Sequence, residues 1–356
     1  AGLGLNIVYS AKNLQWQNGV EWLYNQSAID NYGNRSGVAD TLQYKDNVFA
    51  NQWFLYSQWQ YTPGTRWHIT AGASMNNQSY RYNRLSDPLS VYQARSIHSV
   101  ITPRLAVLYR ISNNVSAYAT VAKGFSPPTL AEFRPSDGQF HGDLDAEYGW
   151  NYEAGIKGDV WQQRLQYDLS VYYFHLQNAI VRRTDTAGAE FFVNAGGTKQ
   201  TGVEATLKYQ VLNTAKGWMN ALYIWSSYAW QHYRFADYRQ GAAVFSGNAV
   251  TGIPQHGWVT GADIRFRRGW YLNLSLNCTS RLPLTDANNV YAGAWHLLQC
   301  KFGYRPSGYW HFFAGMDNIL NEVYSLGNDI NAAGNRFYNP APGRNVFAGV
   351  MVNIGR

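Results

Sequence analysis

Apolar and polar residues alternate along much of this chain with a period of two, the pattern of a strand whose two faces meet different surroundings. Leu165, Tyr167, Leu169, Val171 and Tyr173 fall on one face, with Gln166, Asp168, Ser170 and Tyr172 on the other. The pattern returns in Val203, Ala205, Leu207 and Tyr209 against Glu204, Thr206, Lys208 and Gln210, and in Trp258, Thr260, Ala262, Ile264 and Phe266 against Asp263, Arg265 and Arg267. Leu272, Leu274 and Leu276 likewise oppose Asn273, Ser275 and Asn277. Each apolar face runs for about ten residues, the length of a tilted strand that crosses a bilayer.

The connections between such strands alternate in length. Short turns are expected near 11–14, 62–65, 112–115, 159–163, 213–217, 267–269 and 305–308, and long polar loops near 28–46, 84–97, 126–148, 184–197, 236–253, 282–291 and 325–343. Short turns on one side and long loops on the other are the layout of an outer-membrane barrel, which a sandwich or propeller has no reason to adopt. The fold class is therefore all-β, a transmembrane antiparallel β-barrel, with about 15 strands from residues 2–10 to 346–354. Single-chain bacterial barrels have an even strand number, so an odd count implies that this chain begins partway round a barrel.

Composition agrees. Charged residues are 14% of the chain, against roughly 25% in soluble domains, whereas 27 Tyr and 14 Trp supply rings for the two interfacial girdles of a barrel. No run of 18 apolar residues offers a spanning helix, and the wealth of aromatic and β-branched residues excludes disorder. The net charge of +7 comes without any Lys/Arg run, so nucleic acid is not expected as a partner. The N-terminal Ala1-Gly-Leu-Gly-Leu has no signal-peptide layout.

Three stretches resemble the TonB-dependent outer-membrane receptors. The first is Tyr118-ATVAKGFSPPTLAEF with Glu147-YGWNYEAGIKG, similar to the family's Gly-Phe-x-x-Pro loop and Asn-Tyr-Glu-x-Gly strand. The second is Asn194-AGGTKQTGVEATLKY, and the third Asp317-NILNEVYSLGNDINAAGNRFYNPAPGRN, which looks like the family's final loop and last strand. Their order and spacing agree over the whole chain. The resemblance implies a barrel of 22 strands around an N-terminal plug, with residues 1–356 as its C-terminal two-thirds, strands 8 to 22. It implies residence in the bacterial outer membrane, contact with lipid and lipopolysaccharide, energy from TonB through a plug domain for which this sequence has no counterpart, and a small-molecule cargo. Ferric siderophore is the preferred cargo, since these stretches look most like siderophore receptors; cobalamin, haem, copper and sugar importers share the scaffold. No cofactor is implied. The end, Val352-Asn-Ile-Gly-Arg356, departs from the aromatic finish usual in such barrels, so Arg356 is in doubt as the natural terminus.

For the cargo, loop and upper-lumen residues are expected to act: Arg81, Tyr82, Arg84, Arg95, Arg182, Arg183, Arg234, Arg281, Tyr324 and Arg336, with Arg134, Tyr80 and Tyr338 beside them. Guanidinium forks pair with carboxylate or phenolate oxygens, and rings stack on a flat chelate. The competing reading gives the arginines to lipopolysaccharide phosphates or lumen carboxylates, and the rings to girdles and loop packing. Glu153 and Glu204 are expected to point into the lumen and to be paired. Asp137, His141, Asp143 and Asp145 crowd one loop without metal-ligand spacing, and the remaining histidines show none; no metal is assigned. Cys278 and Cys300 lie symmetrically about position 289, which makes them cross-strand neighbours on the lipid face and leaves a disulfide open.

Two other functions compete. A passive porin of about 16 strands needs a constriction loop, for which 126–148 with Asp137, Asp143, Asp145 and Glu147 is the candidate. A barrel hydrolase needs a nucleophile with base and acid, and Ser57, Ser126 and Ser227 have no evident partner. No catalytic residue is assigned.

Overall fold

The computed structural model describes residues 1–135, 139–184, 189–306 and 308–354. Asp137 of the acidic loop and Arg356 fall outside them. Fifteen strands form one sheet in chain order, with each neighbouring pair hydrogen-bonded: Gly2–Ser10, Leu14–Arg35, Val38–Tyr61, Trp67–Arg84, Gln93–Arg110, Val115–Ser126, Glu147–Val160, Leu165–Gln177, Gly197–Asn213, Met219–Ala236, His256–Phe266, Trp270–Thr279, Trp295–Tyr304, Trp310–Asp317 and Asn345–Val352. No described helix is long and apolar enough to cross a membrane. The chain forms two compact units: Ala1–Leu108 with Thr120–Tyr152 and His175–Gly197, and Tyr109–Ala119 with Glu153–Phe174 and Thr198–Arg356.

In the first unit the expected loop at 28–46 is replaced by strand. Leu14–Arg35 and Val38–Tyr61 pair along nearly their whole length and turn at Ser36-Gly37, with φ of 55° and 89°. Positive φ at both central residues is the geometry of a tight two-residue hairpin. The strands run beyond the apolar band, so polar residues occupy both faces and the alternation that marks a strand disappears from the sequence. Cross-strand partners Asp30 and Lys45 make an ion pair there, Nζ to Oδ2 3.3 Å.

Between Val115–Ser126 and Glu147–Val160 the chain forms a short helix, Leu130–Phe133. Its start is a reciprocal capping box. Glu132 N–H donates to Thr129 Oγ1 at 3.3 Å, and Thr129 N–H donates to Glu132 Oε2 at 2.6 Å. The helix delivers Phe133 into a buried cluster with Tyr80, Ile97, Leu144 and Ala146. Tyr80 shares the polar strand face of Ser74 and Gln78, so this loop folds onto that face rather than away from it.

In the second unit the apolar face is the exposed one. Leu207 is 47% exposed, Ile224 46% and Phe302 45%, and each alternates with polar neighbours. On the polar face, aromatic rings lie across glycines of the next strand: a Cβ on Gly303 would meet the Tyr271 ring at 2.3 Å, and one on Gly202 the Tyr172 ring at the same distance. These glycines are where an inward ring needs a bare backbone to lie on.

The register separates the two cysteines. Cys278 pairs with His296 and Cys300 with Leu274, and both thiols are free. The offset along the strand is about 13 Å at strand rise, beyond the reach of a disulfide. The expectation that the two are cross-strand neighbours fails because the pairing is centred on position 287 rather than 289: Leu282 pairs with Ala292 and Pro283 with Tyr291, in the same register as Cys278 with His296.

Candidate ligand-binding site

The loop-side end of the first unit is organised around Asp46. Its carboxylate is wholly buried and accepts from Tyr82 OH at 3.0 Å, Arg84 Nε at 3.0 Å and Arg134 Nε at 2.7 Å. Arg134 Nη1 also donates to Pro135 O at 3.0 Å, and its guanidinium lies over the Tyr44 ring, 4.3 Å from the centroid. Two guanidinium groups thus share one carboxylate. Burial pushes the Asp46 carboxyl up, but the hydrogen bonds from Arg84, Arg134 and Tyr82 together outweigh it and hold the group below the ordinary carboxylate value.

Beside this cluster is a cavity of about 370 Å³ lined by Ile29, Tyr44, Ala131, Arg134, Pro135, Glu190 and Phe192. Glu190 and Phe192 come from a hairpin, Ile180–Thr184 with Glu190–Asn194, in the connection between Leu165–Gln177 and Gly197–Asn213, which begins earlier than the loop expected at 184–197. Asn194 clips that hairpin to the helical loop: its Oδ1 accepts from Asp145 N–H at 2.8 Å, and its Nδ2 donates to Asp145 O at 2.8 Å. Glu147 Oε1 accepts from Ile180 N–H at 2.6 Å. Burial first, and Glu132 in addition, raise the Glu147 carboxyl against that hydrogen bond. The cavity offers the Arg134 guanidinium, two ring faces and the Glu190 carboxylate, which is paired with Arg182, on walls held by hydrogen bonds.

The second unit has its own buried carboxylate, Asp286. Its Oδ2 accepts from Tyr238 OH at 2.5 Å, and its Oδ1 from Thr251 Oγ1 at 2.5 Å and Asn331 Nδ2 at 3.0 Å. Asn331 Oδ1 accepts in return from Asp286 N–H at 3.0 Å, and Asn248 Nδ2 donates to Asp286 O at 2.8 Å. One side chain thereby ties together three of the long loops.

Residues 2–319 match the family described as TonB dependent receptor-like, beta-barrel. The chain belongs to that family. Its curated relatives include the metal-pseudopaline receptor CntO of Pseudomonas aeruginosa, 26% identical over 48% of this chain and 21% of the relative, and the ferric-pyoverdine 358 receptor of Pseudomonas putida, 25% identical over 50% and 21%. Among solved structures, the ferric citrate transporter FecA is similar with TM-score 0.79 at 18% identity, and the ferric yersiniabactin receptor FyuA of Yersinia pestis with TM-score 0.74 at 17%. This chain is covered almost completely by both, 98% and 99%, but spans only 54% and 53% of their lengths. The family is one of transport receptors whose barrels lie in the outer membrane.

In this TonB-dependent receptor barrel, many residues expected to meet cargo already have partners in the protein. Tyr82 is buried and stacks on Phe140 with centroids 4.9 Å apart, and Arg84 is bound to Asp46. Arg95 pairs with Asp145, and Arg182 with Glu190 at 2.8 Å. Arg183 is buried, Arg81 lies over the Phe49 ring, and Tyr324 packs on Trp295. Arg336 is exposed. Arg234 and Arg281 line a separate cavity of the second unit. Sequence reading passed over Tyr44, Asp46 and Phe192, and with them Tyr238, Thr251, Asp286 and Asn331. The one local signal was Thr129-x-x-Glu132, which announces the helix that brings Arg134 to Asp46.

Proposed function

We propose that this chain is the barrel of an outer-membrane receptor that captures a ferric chelate and imports it with energy from TonB, delivered through a plug domain. Family membership supports import over passive flow. The cavity at Arg134 carries the cargo reading: the Arg134 guanidinium, the rings of Tyr44 and Phe192, and a wall fixed by the Asp46 cluster. An anionic iron chelate with planar catecholate, phenolate or carboxylate arms matches that chemistry. The barrel performs no bond chemistry in this reading; it supplies the wall and the loops that select cargo.

The test is uptake of labelled iron by cells that carry the full-length receptor, supplied with one ferric chelate at a time, with TonB intact or deleted. Saturable uptake that disappears without TonB and weakens on Tyr44→Ala with Phe192→Ala supports the reading. Uptake independent of both TonB and the receptor refutes it.

A further inference from the structure

The polar face of the second unit carries a cradle of about 970 Å³ at the end where its strands join by short turns. Strand register builds it. Tyr223 pairs with Asp263, Asp263 with Asn273 and Asn273 with Lys301, so one row of side chains crosses four neighbouring strands on a single face. Nearer the turns the same face places Arg265 opposite Tyr271, and Arg305 follows beside Gly269, whose carbonyl accepts from its N–H at 2.9 Å. Lys208, on Gly197–Asn213, completes the lining. In an outer-membrane barrel the short turns lie on the periplasmic side.

Four cations, Lys208, Arg265, Lys301 and Arg305, line this cradle with one carboxylate, Asp263, which accepts from Asn273 Nδ2. Among the described residues no carboxylate pairs with any of the four. Three of them lie against rings instead: Lys208 Nζ is 5.5 Å from the centroid of Tyr223, Arg305 Cζ 5.5 Å from that of Tyr271, and Lys301 Nζ 4.3 Å from that of Phe313. Like charges gathered on one wall repel one another and weaken the folded state. A polyanion among them removes that cost, and cations interleaved with ring faces recognise an anion that also has planar arms.

We infer, on the import reading proposed above, that this cradle is a second cargo station: it receives the anionic ferric chelate on the periplasmic side of the lumen and passes it out. Its looseness fits that role. Arg134 is buried and clamped by Asp46, whereas Lys208 and Arg305 are exposed and held by ring contacts. Side chains that must be ordered on binding give lower affinity than preorganised ones, and a station on an exit path has to bind weakly enough to let go. An acidic protein segment is the competing occupant. The chelate is favoured because its planar arms use the Tyr223 and Tyr271 faces and the cations together, whereas a peptide carboxylate uses the cations alone.

The test uses cells that produce the full-length receptor, supplied with labelled iron(III) as its tris-catecholate, citrate or tris-hydroxamate complex. The first two are anions and the third is neutral. Lys208→Gln with Lys301→Gln and Arg305→Gln is expected to keep the equilibrium binding of the transported anion to cells without TonB, and to slow maximal TonB-dependent uptake about tenfold. Lys208→Arg with Lys301→Arg and Arg305→Lys, which keeps the charges, is expected to keep most of the rate. Unchanged uptake by the glutamine set, loss of surface binding along with uptake, an equal loss in the charge-preserving set, or transport of the neutral complex alone would each overturn it. So would ion conductance of the glutamine variant in a planar bilayer where the unaltered receptor is closed, since the cradle would then hold a protein segment that seals the lumen. Heat-shifted gel mobility reports folding, and Lys208→Gln alone, at an exposed position, serves where the triple variant does not assemble, with a smaller slowing expected. The two readings fail separately: no TonB-dependent uptake of any complex by the unaltered receptor defeats the import proposal itself, whereas uptake that ignores the glutamine set defeats only this inference.

Discussion

Arg134 reaches back 88 positions in the sequence to place its Nε 2.7 Å from Oδ2 of Asp46, with the arginine side chain 5% exposed and the aspartate wholly enclosed. This contact pins the helical loop to the wall and sets one side of the proposed cargo cavity. Removal of Asp46 leaves the buried Arg134 guanidinium without its carboxylate, whereas removal of Arg134 leaves Asp46 paired with Arg84.

Asp46→Ala is expected to cost about 3–5 kcal/mol at this site, as for other broken buried pairs. Two guanidinium groups would then face each other, and the loop at 127–146 would detach. Replacement of both partners, Asp46→Asn with Arg134→Met, is expected to cost less than the two single changes together. Thermal unfolding of the four proteins of the cycle measures the coupling, and additive losses would show that the pair is not a unit.

Acid should act on two carboxyls in opposite directions. Asp46 is held below its ordinary value of 3.8, so its contribution is fully present above that value and is lost as pH falls through the folded value. Glu147 is raised above 4.5, chiefly by burial, so the folded state binds its proton more tightly than the unfolded chain does. Stability from Glu147 therefore grows as pH falls through its folded value toward the unfolded one. Limited proteolysis of the helical loop is expected to show no loss of protection between neutral pH and about pH 5, then rapid cleavage below 3.8. Cleavage that begins in mild acid would contradict the Asp46 assignment.

Asp286 ties three loops, so they should loosen together. Asp286→Ala is expected to raise hydrogen exchange in 236–253 and 325–343 as well as in its own loop. Tyr238→Phe removes one bond to the carboxylate and is expected to cost about 1–3 kcal/mol. Exchange that changes only near position 286 would mean that the loops are held independently.

Both thiols should remain free. Alkylation of the denatured, unreduced protein is expected to add two labels, one each at Cys278 and Cys300, because their registers differ. Protein that takes no label until reduced would require another register for these strands.

The sequence by itself determined the class of fold. Period-two alternation on residues such as Leu165 to Tyr173, and the separation of short turns from long loops, specify a sheet with one apolar face, because each of these signals is local and depends only on neighbours in the chain. The count of about fifteen strands was legible at that level, and the family and the receptor reading came from the resemblance of three stretches, at 118–158, 194–209 and 317–345. The hairpin turning at Ser36-Gly37 was not, since strands that run past the membrane carry polar residues on both faces. Only the tertiary structure decided which arginines are paired with a carboxylate. Arg84, Arg95, Arg134 and Arg182 look like Arg234 and Arg281 in sequence, yet the first four are bound to carboxylates and the last two line a pocket with none among its described residues. Asp46 with Arg134, and Asp286 with Asn331, join residues 88 and 45 positions apart. Such pairing depends on where loops land on the sheet, and no local pattern encodes that.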